Sequence, residues 1–225
     1  MSDTLYDVVE IFDSINGEGL NAGKLATFVR LKGCNLRCSY CDTAWAITPD
    51  APSVKMSAEE IKSSILASGL EHVTLTGGEP LLVDKSVELL TALVSDRYKI
   101  DIETNGSVPI RPILEHEGLS AVDLIMDYKL PSSGMTESMH LENLELIRKQ
   151  DTVKFVIGSE ADMDEAYSII KKYSLTGRTN IYFSPVFGSI TPEAMVDFMK
   201  KHRLNGVTLQ LQLHKIIWHP DAKGV

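Results

Sequence analysis

Three cysteines define the first candidate site. Cys34, Cys38 and Cys41 follow the spacing C-x3-C-x2-C within "CNLRCSYCDT", and they are all the cysteines of this 225-residue sequence. Zinc normally closes a structural site with four ligands, and no fourth cysteine or adjacent histidine is present, since His72, the nearest in sequence, begins another predicted strand. An iron–sulfur cube bound by three thiolates fits better. One iron then has no protein ligand and is free to bind a molecule that reacts there.

The same spacing has a second interpretation. Positions i, i+4 and i+7 also share one face of a helix, and buried cysteines are common in protein cores. Gly33, Asn35, Arg37 and Ser39 would make a poor helix interior, however. The sequence therefore favours a metal-binding loop, with a core helix as the alternative.

Apolar, β-rich runs alternate with helix-period stretches along most of the chain. Ser57 and Glu60 have the spacing of a capping box at the start of a predicted helix that ends at Gly69. Thr191 and Pro192 mark a second helix start. The other predicted helices lie near 84–95, 110–117, 137–149 and 161–173. The predicted strands cover 25–31, 72–76, 99–104, 122–128, 153–158, 180–186 and 206–213.

This alternation predicts a parallel sheet, because parallel neighbours need crossover connections. Too few units are present for a closed eightfold barrel. We therefore expect one α/β domain over 1–225, built as an open partial (β/α)6-type barrel of mostly parallel strands. An open doubly wound sheet is the competing architecture. In either fold the functional site lies at the carboxyl ends of the strands.

The composition disfavours two classes of binding partner, nucleic acids and membranes. Lys and Arg number 22 against 31 Asp and Glu, for a net charge of −9, which disfavours a broad electrostatic contact with nucleic acid or an anionic membrane. The N-terminal stretch lacks a basic region ahead of an apolar run, and no run is long enough to span a bilayer. We therefore expect a cytoplasmic protein, whose clustered thiols form a metal or redox site.

The cysteine motif, placed directly after the first predicted strand, resembles that of the radical S-adenosylmethionine (SAM) enzymes. The resemblance implies a [4Fe-4S] cluster on Cys34, Cys38 and Cys41, with the methionyl amine and carboxylate of SAM on the open iron. "TGGEP" ends the next predicted strand. Gly78 and Glu79 in that motif match the element that holds the methionyl amine, although the motif read in isolation is typical of a turn.

The resemblance implies further contacts to SAM at later strand ends. "ETNG" and "DYK" match positions that contact the ribose and carboxylate, although their charged residues are also typical of solvated strand ends. Tyr40 matches a residue near the adenine. The predicted SAM-binding residues are Tyr40, Gly78, Glu79, Glu103, Asp127, Tyr128, Lys129 and Ser184.

Within the superfamily, residues 10–43 resemble the opening of the 7-carboxy-7-deazaguanine synthases of queuosine and deazapurine biosynthesis. The likeness extends to "YKLPSSGM" and to the closing stretch 211–225. It implies that 6-carboxy-5,6,7,8-tetrahydropterin is converted to 7-carboxy-7-deazaguanine, with a SAM-derived 5′-deoxyadenosyl radical as the reactive group and no catalytic side chain. Ring contraction would expel ammonia.

The same resemblance implies a substrate site. Arg30 offers a fork of donors to the substrate carboxylate, which a Lys would not replace. The "NGEG" stretch would meet the amino-pyrimidinone edge, with Asn16 standing where Gln is frequent, although a tight turn explains the stretch equally well. The predicted substrate contacts are Ile15, Asn16, Gly17, Glu18, Arg30, Thr76 and Val225. Thr43 would ligate Mg²⁺.

Partners follow from the resemblance as well. We expect an external one-electron reductant of the flavodoxin or ferredoxin type and a homodimer, with 1–24 as a substrate-contacting segment and 214–225 as a tail over the site. His214, read as part of the last strand, and Trp45 are expected to be structural. Two alternatives remain. A glycyl-radical-enzyme activase would act on a protein, and a non-catalytic electron-transfer module would carry a fourth protein ligand to its cluster.

Overall fold

Stretches rich in β-branched and aliphatic residues form the strands of one sheet, and amphipathic stretches between them form helices. The structure, a computed structural model, describes residues 4–220 and 222–225. Its strands are β1 (Leu5–Ile15), β2 (Leu25–Leu31), β3 (Val54–Ser57), β4 (His72–Gly77), β5 (Lys99–Thr104), β6 (Asp123–Tyr128), β7 (Thr152–Ile157), β8 (Asn180–Pro185) and β9 (Thr208–Leu209). Its helices are α1 (Ala58–Ser68), α2 (Ser86–Leu93), α3 (Arg111–Leu114), α4 (Asn143–Leu146), α5 (Glu160–Lys172), α6 (Pro192–His202) and α7 (Leu213–Ile217).

Within the described residues the sheet has nine strands, in the order β3-β1-β2-β4-β5-β6-β7-β8-β9. From β2 through β9 each neighbouring pair is parallel, whereas β1 is antiparallel to both β2 and β3. The end strands β3 and β9 are not neighbours, so the barrel is open. The expectation of an open α/β barrel with mostly parallel strands is confirmed.

Alternation along the parallel strands separates a core from a functional interior. One set of side chains, such as Leu75, Ile102 and Phe155, lies in the apolar core. The intervening positions carry polar groups that face a cavity, including Glu103 and Lys154. A strand whose residues are all buried therefore has two different faces, one in the apolar core and one toward the cavity.

Capping residues set the helix boundaries as predicted. Ser57 Oγ accepts from the Glu60 N–H, and the Glu60 carboxylate accepts from the Ser57 N–H at 2.8 Å, which completes the capping box of α1. Gly69 ends that helix in the left-handed region, with φ of 70°. Thr191 caps α6, whose first residue is Pro192.

Two strands were not predicted. β1 and β3 form an antiparallel extension in which Leu5 pairs with Ser57 and Ile15 pairs with Leu25. β1 lacks a clear alternating pattern because acidic residues interrupt it and few of its side chains are buried. The strand at 25–31 is thus the second of the sheet.

Two predicted helices are shorter than expected. The stretch 110–117 contains only α3, and 137–149 contains only α4. The buried Asn143 side chain donates to the carbonyls of Gly106 and Val108 and accepts from the Ile110 N–H. These three bonds hold the backbone near Asn143 in place, and a longer regular helix does not form.

The prediction of a strand over 206–213 is wrong for most of its length. β9 contains two residues, after which the Gln210 N–H donates to the Phe183 carbonyl at 2.9 Å. The neighbouring strand β8 ends at Pro185, which has no N–H to offer, and beyond β9 the chain turns into α7. His214 therefore lies on a short helix and not on a strand.

In the described residues no helix is both long enough and apolar enough to cross a membrane.

Candidate active site

The cysteines lie on an irregular loop that follows β2. Residues 34–43 contain no helix, so the alternative of a core helix face is wrong. Ser39 anchors the loop, since its N–H donates to the Ser133 carbonyl at 3.1 Å and its hydroxyl donates to the Ser132 carbonyl at 2.5 Å. All three thiols are partly exposed, and burial raises the pKa of Cys34 and of Cys38.

Donors already point at one sulfur. The Leu36 N–H lies 3.4 Å from Cys34 Sγ, and Asn105 Nδ2 lies 3.5 Å from it. Hydrogen bonds of this kind stabilise negative charge on cluster sulfurs. The three thiols on one loop, with these donors and no fourth cysteine in the sequence, fit a cluster held by three thiolates.

Two glycines at the end of β4 form the floor beside the loop. A Cβ on Gly78 would collide with the Gly33 carbonyl and lie 2.7 Å from Cys34 Cβ, and a Cβ on Gly77 would collide with the Leu31 carbonyl. The Gly78 N–H donates to the Leu31 carbonyl at 3.2 Å. Glycine is therefore required at both positions because backbone packs directly against backbone, and both residues line the cavity beside the cysteines, where a SAM-binding cradle is expected.

Glu79 does not face this cradle. Its carboxylate accepts from the Leu81 N–H at 3.0 Å, from the Thr104 hydroxyl at 2.8 Å and from the Asn105 N–H at 2.6 Å. It is 1% exposed, and burial raises its pKa. Both oxygens are already engaged, so the structure gives Glu79 the role of fixing the loop after β5.

A cavity of about 720 Å³ joins the cysteine loop to the strand ends. The predicted residues that line it are Ile15, Gly17, Glu18, Arg30, Cys34, Cys38, Tyr40, Cys41, Thr43, Thr76, Gly78, Glu103, Asp127, Lys129 and Val225. They come from distant parts of the sequence, and the fold brings them to one space. Among the described residues no three His, Cys, Asp or Glu side chains are grouped to hold a single metal ion.

Four predicted residues are not on the cavity wall. Asn16 is buried, with its Oδ1 accepting from the Thr74 hydroxyl at 2.7 Å, and Glu79 is engaged as described. The ring of Tyr128 packs against Phe155 in the core at 5.7 Å between centroids. Ser184 is fully buried on β8. Their direct ligand contacts stay predictions.

Opposite charges alternate along one wall. Lys154 Nζ lies 3.0 Å from Glu18 Oε2 and 3.7 Å from Asp127 Oδ2, and Lys129 Nζ lies 2.9 Å from the same Asp127 oxygen. Burial would raise the pKa of Glu18, but Lys154 and neighbouring donors lower it to about 2. Burial opposes the charged form of Lys154, yet the surrounding carboxylates raise its pKa. Glu18, Lys129 and Lys154 are therefore ionised at neutral pH.

Arg30 forms a clamp between aromatic rings. Its guanidinium carbon lies 5.8 Å from the centre of Phe12 and 5.9 Å from that of Trp45. Its Nε donates to Glu10 Oε1 at 2.8 Å, and among the described residues its two terminal nitrogens have no protein partner. A guanidinium group whose Nε is held in place and whose two terminal nitrogens are free is suited to bind a carboxylate.

The C-terminal segment closes one side of the cavity. Gln210 makes two bonds to Gly19, accepting from its N–H at 2.6 Å and donating to its carbonyl at 3.0 Å. Gln212 Nε2 donates to Glu18, and Lys215 Nζ lies 3.5 Å from Asp42. The segment thus bridges the turn after β1 and the cysteine loop.

Sequence reasoning missed several cavity residues. Lys154 and Gln212 contact Glu18, and Asn105 contacts Cys34. His214 and Trp45, expected to be structural, also line the cavity, and burial lowers the pKa of His214. A lysine within an apolar strand was the available signal for Lys154, because an unpaired buried ammonium is costly.

Comparison with known proteins assigns this architecture to a class. Residues 28–200 match the sequence model of the Radical SAM superfamily, which covers the cysteine loop and β4 to β8. The chain belongs to the radical SAM superfamily. SuiB of Streptococcus suis, solved with S-adenosylmethionine bound, shares the fold at a TM-score of 0.56 and 12% identity, over 80% of this chain and 48% of SuiB.

Full-length relatives define the family within that class. A 7-carboxy-7-deazaguanine synthase of Clostridium acetobutylicum is 51% identical over 98% of this chain and 99% of its own length. One from Chlorobaculum tepidum is 40% identical over 97% of both chains. The crystal structure of QueE from Escherichia coli has the same fold, with a TM-score of 0.72 at 21% identity, over 92% of this chain and 94% of QueE. The chain is a member of the 7-carboxy-7-deazaguanine synthase family.

Proposed function

We propose that this chain converts 6-carboxy-5,6,7,8-tetrahydropterin to 7-carboxy-7-deazaguanine, with loss of ammonia, in the biosynthesis of queuosine and related deazapurines. The observation that carries the proposal is the Arg30 clamp, which lines the same cavity as the three thiols and has two free nitrogens. Its full-length relatives bear the name of this activity. Substrate and product differ by ammonia, so the reaction involves no net oxidation.

The cluster and SAM have separate places in the cavity. Cys34, Cys38 and Cys41 would hold a [4Fe-4S] cluster, and the Gly77–Gly78 cradle would admit the methionyl group of SAM beside it. When bound, they supply the radical that starts the reaction. The protein would contribute orientation, and excluding water from the cavity would protect a reactive species from side reactions.

The substrate-facing residues have distinct tasks. Arg30 would bind the carboxylate of the pterin, and the turn at Gly17 and Glu18 would meet its amino-pyrimidinone edge. Glu18 Oε1 is buried and has no hydrogen-bond partner among the described residues, which supports a role as an acceptor. The Thr76 hydroxyl donates to Glu103 at 2.7 Å and orients that carboxylate at the cavity wall.

Thr43 is the proposed protein ligand of Mg²⁺. It lines the cavity, and its hydroxyl lies 3.6 Å from Cys41 Sγ. Mg²⁺ commonly takes few protein oxygens and fills its other positions with water or substrate. The predicted contact of Val225 with substrate likewise stays a proposal, supported by the place of Val225 on the cavity wall.

The remaining proposals concern organisation. We take 1–225 as one domain, with 1–24 as a substrate-contacting segment and 214–225 as a closing tail; residues 1–3 and 221 lie outside the described residues. A flavodoxin or ferredoxin type of reductant, a homodimer and a cytoplasmic location complete the proposal. Clustered thiols that serve a cluster need a reducing environment.

An anaerobic assay tests the function. The protein is reconstituted with iron and sulfide and incubated with dithionite, SAM, Mg²⁺ and the pterin, and products are followed by mass spectrometry. We expect 7-carboxy-7-deazaguanine, abolished by Cys38→Ala. SAM cleavage without this product would overturn the substrate and leave an activase or another radical SAM enzyme. An intact cluster without SAM cleavage would favour the electron-transfer module.

A further inference from the structure

The wall charge chain, defined as Glu18, Lys154, Asp127 and Lys129, contains a residue with no assigned task. Lys154 lies on β7, its side chain is 10% exposed, and it stands between the two carboxylates. Two acidic and two basic residues alternate, so the four formal charges of the wall charge chain cancel. Burial of these groups is tolerated because each charge has an opposite neighbour.

Lys154 leaves one oxygen of Glu18 available. Lys154 Nζ and Gln212 Nε2 both donate to Glu18 Oε2, at 3.0 and 3.3 Å. Oε1 is buried without a hydrogen-bond partner in the described part of the chain, although Ser184 lies close enough to help lower the Glu18 pKa. The carboxylate is therefore anchored through Oε2, and Oε1 keeps unused acceptor capacity at the cavity wall.

We propose that Lys154 is a positioning residue that fixes the Glu18 carboxylate with Oε1 turned toward the amino-pyrimidinone edge of the substrate. The inference rests on the proposed function, which supplies a ligand with N–H donors. Lys154 acts through Glu18, and its own Nζ is occupied by two carboxylates.

The electrostatic surroundings make this role pH-dependent. Lys154 on β7 faces Glu18 directly, Asp127 and Glu103 on neighbouring strands act on Lys154, and His214 on α7 interacts with Glu18. Without Lys154, burial and the two other carboxylates all favour a protonated Glu18. A protonated carboxyl loses acceptor capacity, so substrate binding would then weaken as pH falls.

Binding of 6-carboxypterin, the oxidised form of the substrate, measures this directly by fluorescence titration of the cluster-loaded protein. For wild type we expect no change in affinity from titration of Glu18 between about pH 6 and pH 9. For Lys154→Met we expect affinity about 10- to 100-fold weaker at the low end, equivalent to one charge-assisted hydrogen bond, and recovery as pH rises. Lys154→Arg keeps the charge and should restore a flat profile, and Lys171→Met is the surface control.

A double-mutant comparison separates positioning from general structure. In Glu18→Gln the acceptor charge is gone, so adding Lys154→Met should weaken binding further by no more than about twofold. A flat pH profile for Lys154→Met, or an equal loss in the Glu18→Gln background, would overturn the inference. If Lys154→Met does not fold because Glu18 is left as an uncompensated buried charge, the double variant avoids this defect by removing both charges of the pair. The affinity of the double variant for 6-carboxypterin, compared with that of Glu18→Gln, then tests the inference.

The outcomes also distinguish the two proposals. A wild-type protein that neither binds 6-carboxypterin nor makes 7-carboxy-7-deazaguanine contradicts the proposed function and this inference with it. A wild-type protein that does both, with Lys154 variants that lack the expected pH dependence, contradicts the inference about Lys154 only.

Discussion

Replacing Arg30 by Lys tests the carboxylate clamp without removing its charge. In the structure Nε is committed to Glu10 at 2.8 Å, which leaves the two terminal nitrogens for a ligand. A lysine has one ammonium group, which must divide between Glu10 and the substrate. It also lacks the planar group that lies between Phe12 and Trp45.

The expected loss follows from these contacts. One charge-assisted hydrogen bond contributes about 1.5–3 kcal/mol, and a cation–π contact adds about 0.5–1 kcal/mol. The substitution should therefore cost about 2–4 kcal/mol of binding, which corresponds to a rise in KM of about 30- to 900-fold. The turnover number should change less, because the carboxylate is bound alike before and during the reaction.

Steady-state kinetics with the pterin as varied substrate measure this effect, with SAM held saturating. Arg111→Lys is the matched control, because Arg111 pairs only with Glu115 and Glu142 among the described residues, at the surface. An unchanged KM for Arg30→Lys would refute the assignment of Arg30 to the carboxylate. A fall in the turnover number at unchanged KM would give Arg30 a different task.

Three further substitutions test other parts of the structure. Gly78→Ala should displace the cysteine loop and lower the iron bound per protein after reconstitution, while Gly118→Ala, where an added Cβ meets only the His116 side chain at 3.3 Å, should not. Asp101 is buried, with its pKa raised to about 6, so ionisation costs the folded state about 2–3 kcal/mol once pH exceeds that value, and the cost vanishes below about pH 4. Asp101→Asn should therefore unfold at higher urea concentration than wild type at pH 7 and show no advantage in acid. Gln210→Ala removes both bonds to Gly19 and should lower the free energy of unfolding by about 1–3 kcal/mol and raise the KM for the pterin.

The elements with local signals could be predicted from the sequence. Ser57, Glu60 and Gly69 carry the information for both ends of α1 within a few residues, and the structure confirms each. The cysteine loop could be predicted equally well, because its thiol spacing and its poor helix formers both indicate a metal-binding loop. Parallel strands follow from the alternation with helices, and they place the site at their carboxyl ends.

Elements that depend on distant partners were the ones missed. β1 is held by pairing with β2 and β3, and its own pattern is weak. The last predicted strand is short because its neighbour β8 ends at Pro185, and the Gln210 side chain then bonds to Gly19, a contact that no local pattern contains. The predicted contact of Glu79 with the methionyl amine stays a prediction, but its bonds to Thr104 and Asn105, both from the next βα unit, could not be read from local sequence. Lys154 was missed because its role depends on its contact with Glu18, which is far away in the sequence.

One isotope measurement tests most directly the proposal that Arg30 holds the pterin by its carboxylate beside SAM, so that hydrogen is taken from the carbon bearing that carboxylate. The reconstituted protein is incubated with substrate deuterated at that carbon, and the deuterium content of the 5′-deoxyadenosine formed is measured by mass spectrometry. We predict that deuterium appears in 5′-deoxyadenosine while 7-carboxy-7-deazaguanine accumulates. Unlabelled 5′-deoxyadenosine from turnover of the deuterated substrate would contradict the placement.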